Sequence, residues 1–131
     1  ITILLPIQNQ AARLEAVIHA LARYRQQWAA DVFEVVVIDY HSTDESLLIL
    51  QKLARSYPFL RFCQHCPGTS DFLQEERPYV FIQSTILSRQ GLDICRGKII
   101  CLVKLERLGA SGIIGLIESL FRMQTAQKLL A

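Results

Sequence analysis

Three short segments of this 131-residue chain place chemistry-bearing side chains directly after apolar runs. Pro6-Ile7-Gln8-Asn9-Gln10 follows Ile1–Leu5, and Asp39-Tyr40-His41-Ser42-Thr43-Asp44 follows Phe33–Ile38. Lys104-Leu105-Glu106-Arg107 follows Ile99–Val103. Asp39, Asp44 and Glu106 are carboxylates that can accept bonds from ligand hydroxyls or face a cation, and Lys104 can face an anion. Asp39 has two readings: a ligand contact, or a loop carboxylate that bonds nearby amides. Ser42 with Glu45 three residues later is a capping-box pattern, so Ser42 and Asp44 are expected to cap the helix that follows. That expectation is compatible with a site, because a helix N-terminus also receives phosphate. Asn9 is expected to hold its turn by side-chain bonds to backbone. His41 is either a titrating ligand or an exposed loop residue.

The elements that must position these segments follow from periodicity. Ile1–Leu5 and Phe33–Ile38 are unbroken apolar runs rich in β-branched residues, the mark of strands buried on both faces. Leu14, Val17, Ile18 and Leu21 form one helical stripe. Leu47, Leu50, Ala54 and Tyr57 form a second, stopped by Pro58. Phe59–Cys63 reads as a third strand, followed by the turn-rich Pro67–Asp71. Pro78 suits a first helical position, and Val80, Ser84, Leu87, Gly91 and Ile94 then share a helical face ended by Gly97. Ile99–Val103 is the fourth strand, and Ile113, Leu116, Ile117 and Leu120 stripe a last helix. Strands alternating with helices predict an α/β, three-layer α/β/α domain with a mostly parallel sheet. Ligands of such sheets bind at the carboxyl ends of the strands, near the switch in strand order, where all three segments stand.

Length and composition bound the rest. One domain over 1–131 is expected, able to bury about two-thirds of its unfolded surface. With 51% hydrophobic and 20% charged residues the chain is globular in composition, which excludes wholesale disorder. A net charge of +2 gives no case for nucleic acid, and no apolar run reaches the roughly 20 residues that span a bilayer. The chain opens at Ile1 rather than Met, so a native start upstream is expected. Cys63-Gln-His-Cys66 is a lone CxxC, and Cys95 and Cys101 complete the set. Reduced thiols serving as small hydrophobes are the expected role, with a zinc or redox site including His65 as the alternative.

In order and spacing, these segments resemble the nucleotide-binding half of family 2 glycosyltransferases. That family opens with a strand ending in a Pro-Thr-Tyr-Asn-Glu-like turn, here Pro6–Gln10. Its second strand ends in Asp-Asp-Gly-Ser-Thr-Asp, here Asp39–Asp44. Its Arg-Asn-x-Gly helix and small-x-Gly turn correspond to Ser88–Gly91 and Cys95–Gly97, and its Asp-x-Asp to Lys104–Glu106. The resemblance runs from Ile1 to Glu106 and implies the nucleotide-diphospho-sugar transferase fold. It also implies transfer of a sugar from a UDP- or GDP-linked donor to an acceptor hydroxyl.

The same resemblance assigns Pro6, Gln8, Asn9, Asp39, Tyr40, Asp44, Arg89, Lys104 and Glu106 to the donor nucleotide site. Several of these depart from the family. Tyr40 replaces the Asp that reads the nucleobase, and Gln8 replaces a Tyr that stacks on it. Arg89 replaces an Asn and either holds phosphate or lies on a solvated helix face. Lys104 replaces the first carboxylate of the motif that holds the donor ribose and Mn²⁺ or Mg²⁺, which leaves Glu106 as the one metal ligand. Lys104 is then expected either to pair with Glu106 or to neutralise a diphosphate without metal. The family's acceptor half and general base have no counterpart after Leu108, so the chain is expected to be a truncated or reduced relative. The alternative is a non-catalytic glycosyltransferase-like module in a larger assembly, meeting a protein partner through its last helix. The expected location is cytoplasmic, peripheral to a membrane or a larger complex.

Overall fold

The computed structural model describes residues 1–27, 33–64, 70–83 and 99–130. In chain order these form β1 (Thr2–Ile7), α1 (Ala11–Arg25), β2 (Glu34–Asp39), α2 (Ser46–Ser56), β3 (Leu60–Gln64), α3 (Ser70–Gln74), β4 (Tyr79–Gln83), β5 (Ile99–Val103) and α4 (Ala110–Leu130). The five strands make one sheet in the order β3-β2-β1-β5-β4. β1 pairs in parallel with β2 and β5, and β2 with β3, while β4 runs antiparallel to β5.

The mostly parallel α/β architecture agrees with the strand periodicity. All six residues of β1 are buried, as are five of the six in β2, so both strands lie inside the sheet with covered faces. One face carries the larger core. There Leu14, Ile18 and Leu21 of α1, Leu50 and Leu53 of α2, and Ile113, Ile117 and Leu120 of α4 meet Ile3, Leu5, Val35 and Val37. Ile113, Ile117 and Leu120 of the α4 stripe are thus buried in this core, with Leu116 and Phe121 partly buried against it. The opposite face gathers Leu4, Val36, Ile38, Tyr40, Ile100 and Leu102, with Phe72 and Leu73 of α3 and Val80 of β4 packed against them.

Two local expectations are corrected. Pro78 does not open a helix: Tyr79–Gln83 is an edge strand. Tyr79 and Phe81 are exposed while Val80 packs inward, so the segment follows a period of two, and pairing with β5 decides its conformation. Ser84, Leu87, Gly91 and Ile94 of the expected stripe lie outside the described residues, as do Arg89, His65, Cys66 and Cys95. The capping box does not form either. Glu45 precedes α2 with no side-chain cap, and Ser42 is engaged elsewhere.

Candidate functional site

The strand order reverses between β1 and β5, and there the sheet splits. Their register ends at Leu4 opposite Leu102. The Ile1 and Ile7 carbonyls accept from Glu34 and Tyr40 on the β2 side, so the alternate residues Thr2, Leu4 and Pro6 face β5. Pro6, which has no N–H, thus falls one position pair beyond the last partner, and no ladder bond is lost there. Across the gap, the Lys104 N–H turns to the Pro78 carbonyl at 3.0 Å, away from β1. The opening is the crevice in which open α/β sheets bind ligands.

Two loops on one side of this crevice, 8–10 and 40–45, are zipped together by side chains. Asn9 Oδ1 accepts the Thr43 N–H at 2.7 Å, the Asp44 N–H at 3.2 Å and the Thr43 hydroxyl at 3.3 Å. In return, the Asn9 N–H donates to Ser42 Oγ at 2.9 Å, and Ser42 Oγ donates to Asp39 Oδ1. The Gln10 N–H donates to Ser46 Oγ at 3.1 Å. Asp44 serves two helices: Oδ2 accepts the Ala11 N–H at the start of α1 (3.1 Å), and Oδ1 accepts the Ser46 N–H at the start of α2 (2.9 Å). The Ser46 side chain first, with the amides of Ser46 and Ala11, holds the Asp44 carboxyl below its ordinary range.

Asn9 and His41 both have left-handed backbones, with φ of 54° and 51°. The second value explains the glycine that the resembling family has at position 41, since glycine adopts this region freely. Asn and His are among the residues that tolerate it best. Asn9 therefore bonds across to the neighbouring loop rather than within its own turn.

The sequence-predicted site residues divide into three groups. Gln8, Asn9 and Asp44 stand exposed at the edge, and Pro6 and Asp39 are buried beneath them. Tyr40 does not face the edge. It is 4% exposed and packs among Leu4, Ile38 and Leu102, as expected of a large ring beside an apolar sheet face. Lys104 is also withdrawn, at 5% exposure. Its Nζ donates to the Leu73 carbonyl at 2.6 Å and lies 4.0 Å from Glu106 Oε1. Lys104 thus ties the end of α3 to the end of β5, with Glu106 at the outer limit of ion pairing. The hydroxyls of Ser42 and Ser46 organise the edge, yet sequence reading gave Ser42 a different role and did not single out Ser46. Their cross-loop partners, Asn9 and Gln10, lie more than thirty residues away and no local pattern marks those contacts, while Ser42 also bonds Asp39 three residues back.

The Lys104 ammonium stands 4.0 Å from Glu106, a repulsive neighbour for a cation, and among the described residues no three His, Cys, Asp or Glu side chains converge. The cysteines described give no metal set: Cys63 is half-buried on β3 and Cys101 is buried on β5. Burial pushes the Cys101 thiol up to about 12, the behaviour of an inert core residue. No helix among the described residues is long and apolar enough to cross a membrane.

Residues 2–65 match the family model described as Glycosyl transferase family 2, a stretch that runs from β1 through β3. No curated protein sequence matches the chain. Among solved structures, the mannosyltransferase PcManGT from Pyrobaculum calidifontis, in complex with GDP-Man and Mn²⁺, superposes with a TM-score of 0.45 at 23% identity. The match covers 63% of this chain and 26% of that one. TarS of S. aureus in complex with UDP-GlcNAc gives a TM-score of 0.43 at 22% identity, covering 69% of this chain and 30% of that one. This chain therefore spans less than a third of either solved protein.

Proposed function

Taking as premise that residues 2–65 carry the glycosyl transferase family 2 pattern, we propose that this chain is the nucleotide-binding part of a glycosyltransferase-like protein. Its ligand is the nucleoside diphosphate of a UDP- or GDP-linked sugar, taken at the edge where β1 and β2 end. The reaction this implies is transfer of the sugar to an acceptor hydroxyl. The observation that carries the reading is the crevice itself: β1 and β5 part after Leu4, and side-chain bonds hold loops 8–10 and 40–45 along one side of it. Gln8 offers an amide, and Glu106 a partly exposed carboxylate, to ligand hydroxyls and base edges. Asp39 acts beneath them as a positioning group, holding Ser42 and through it Asn9. Binding proceeds without a divalent ion at Lys104–Glu106.

A second reading has specific support. Tyr40 and Lys104 stand at base-reading and metal-holding positions of the resembling family, and both are committed to packing. That favours a non-catalytic glycosyltransferase-like module. Calorimetric titration with UDP and then GDP, each with and without Mn²⁺, separates the two. Binding that is indifferent to Mn²⁺ supports the first reading. A strict requirement for Mn²⁺ overturns its metal-free part, and silence toward both nucleotides leaves the non-catalytic module standing.

A further inference from the structure

A cavity of about 450 Å³ opens between the first turns of α1 and the 105–110 segment that leads from β5 into α4. That volume lies in the range of small-molecule sites, roughly 300–1,000 Å³. Ala12, Ala16 and Ala110 give it small apolar walls, while Arg13, Glu106 and Arg107 supply its charge. The Arg13 guanidinium reaches from α1 to this segment, with Nη1 donating to the Leu105 carbonyl at 3.4 Å. Among the described residues, neither Arg13 nor Arg107 forms an ion pair. The one acid of the lining, Glu106, already lies 4.0 Å from the Lys104 ammonium. Two guanidinium groups are therefore left uncompensated around a concave, partly apolar space. Guanidinium is the side chain best matched to phosphate oxygens, which it can meet with two parallel bonds. None of the residues of the zipped loops lines this space.

We propose that this cavity binds a small ligand bearing an anionic group, phosphate above all, at a place beside the nucleotide edge that shares with it only Glu106. The proposal stands whether or not a nucleotide binds. Where both bind, the anion belongs to the molecule that receives the sugar.

The test is a ¹H–¹⁵N chemical-shift titration of the whole chain with phenyl phosphate, inorganic phosphate and benzoate. Saturable shifts at Arg13, Gly109 and Ala110 are expected with phenyl phosphate, weakened at least tenfold in the Arg13→Gln/Arg107→Gln double variant. Ala16→Trp, at an exposed helix position, fills the space and is expected to abolish the shifts. Saturable binding of benzoate at the same amides also supports the site and makes carboxylate an accepted anion. The proposal is overturned by an absence of saturable shifts, by binding that both variants leave unchanged, or by displacement of phenyl phosphate by UDP or GDP. Phenyl phosphate binding in a chain that ignores both nucleotides sinks only the nucleotide reading.

Discussion

The Asn9 side-chain oxygen sits 2.7 Å from the backbone nitrogen of Thr43, a residue thirty-four positions away. One amide side chain thereby gives the two loops at the β1 and β2 ends a common geometry. Asn9→Ala leaves the Thr43 and Asp44 donors without that acceptor and places a Cβ residue of poor left-handed tolerance at φ 54°. A loss of about 1–3 kcal/mol in unfolding free energy is expected. Asn9→Gly incurs only the first of these costs. Urea unfolding of both variants checks this, and equal stability of the Ala variant and the parent would refute it.

His41→Gly relieves a left-handed residue at φ 51° while adding freedom to the unfolded chain. The net change is expected to lie between neutral and a stabilisation of about 1 kcal/mol. His41→Val, β-branched at the same φ, is expected to lose more than about 1 kcal/mol. The order Gly, His, Val in thermal midpoint is the observable, and Val at or above His would contradict the backbone assignment.

Lys104→Met keeps the apolar stem and deletes the bond to the Leu73 carbonyl. A charge-assisted bond of this kind contributes about 1.5–3 kcal/mol. The loss should be local. Amides of 72–78 are expected to exchange faster with solvent, with those of β1 and β2 unchanged. Uniform loss of protection across the sheet would show that Lys104 supports the core rather than the attachment of α3.

The pH dependence of stability isolates Asp44. Its carboxyl is depressed in the folded chain relative to the unfolded value near 3.9. Its contribution is therefore complete above that value and disappears as pH falls through the lower folded value. The stability gap between the parent and Asp44→Asn should be open at pH 7 and close below about pH 4. A gap that persists unchanged at pH 3 would mean the carboxylate charge has no part in joining the starts of α1 and α2.

Cys101, its thiol raised to about 12 by burial, carries almost no thiolate at pH 8.5. Iodoacetamide should leave it unmodified in the folded chain and alkylate it in urea, as read by peptide mass spectrometry. Rapid native alkylation would contradict its burial.

The elements legible in the sequence were those whose pattern is self-contained. The apolar runs of β1 and β2 and the Leu14-Val17-Ile18-Leu21 stripe needed no distant partner to be recognised. β4 was not legible, because Pro78 and Val80 suit a helix start as well as a strand and only pairing with β5 decides between them. At the site, the edge positions of Gln8, Asn9 and Asp39 followed from strand ends. The inward turn of Tyr40 and the Lys104–Leu73 tie did not, since each depends on groups brought near only by the folded sheet and, for Lys104, on a main-chain carbonyl that carries no sequence signature.

Pro6 has a consequence for how fast a ligand could enter. A strand with no amide to offer at that point cannot zip onto its neighbour when the crevice is empty, so no bonds must be broken to admit a guest. The gap is built into the covalent chain and held by loops already locked to each other. Ligand capture here should therefore behave as docking onto a preorganised surface, with association governed by encounter and orientation and little entropy left to lose on the protein side.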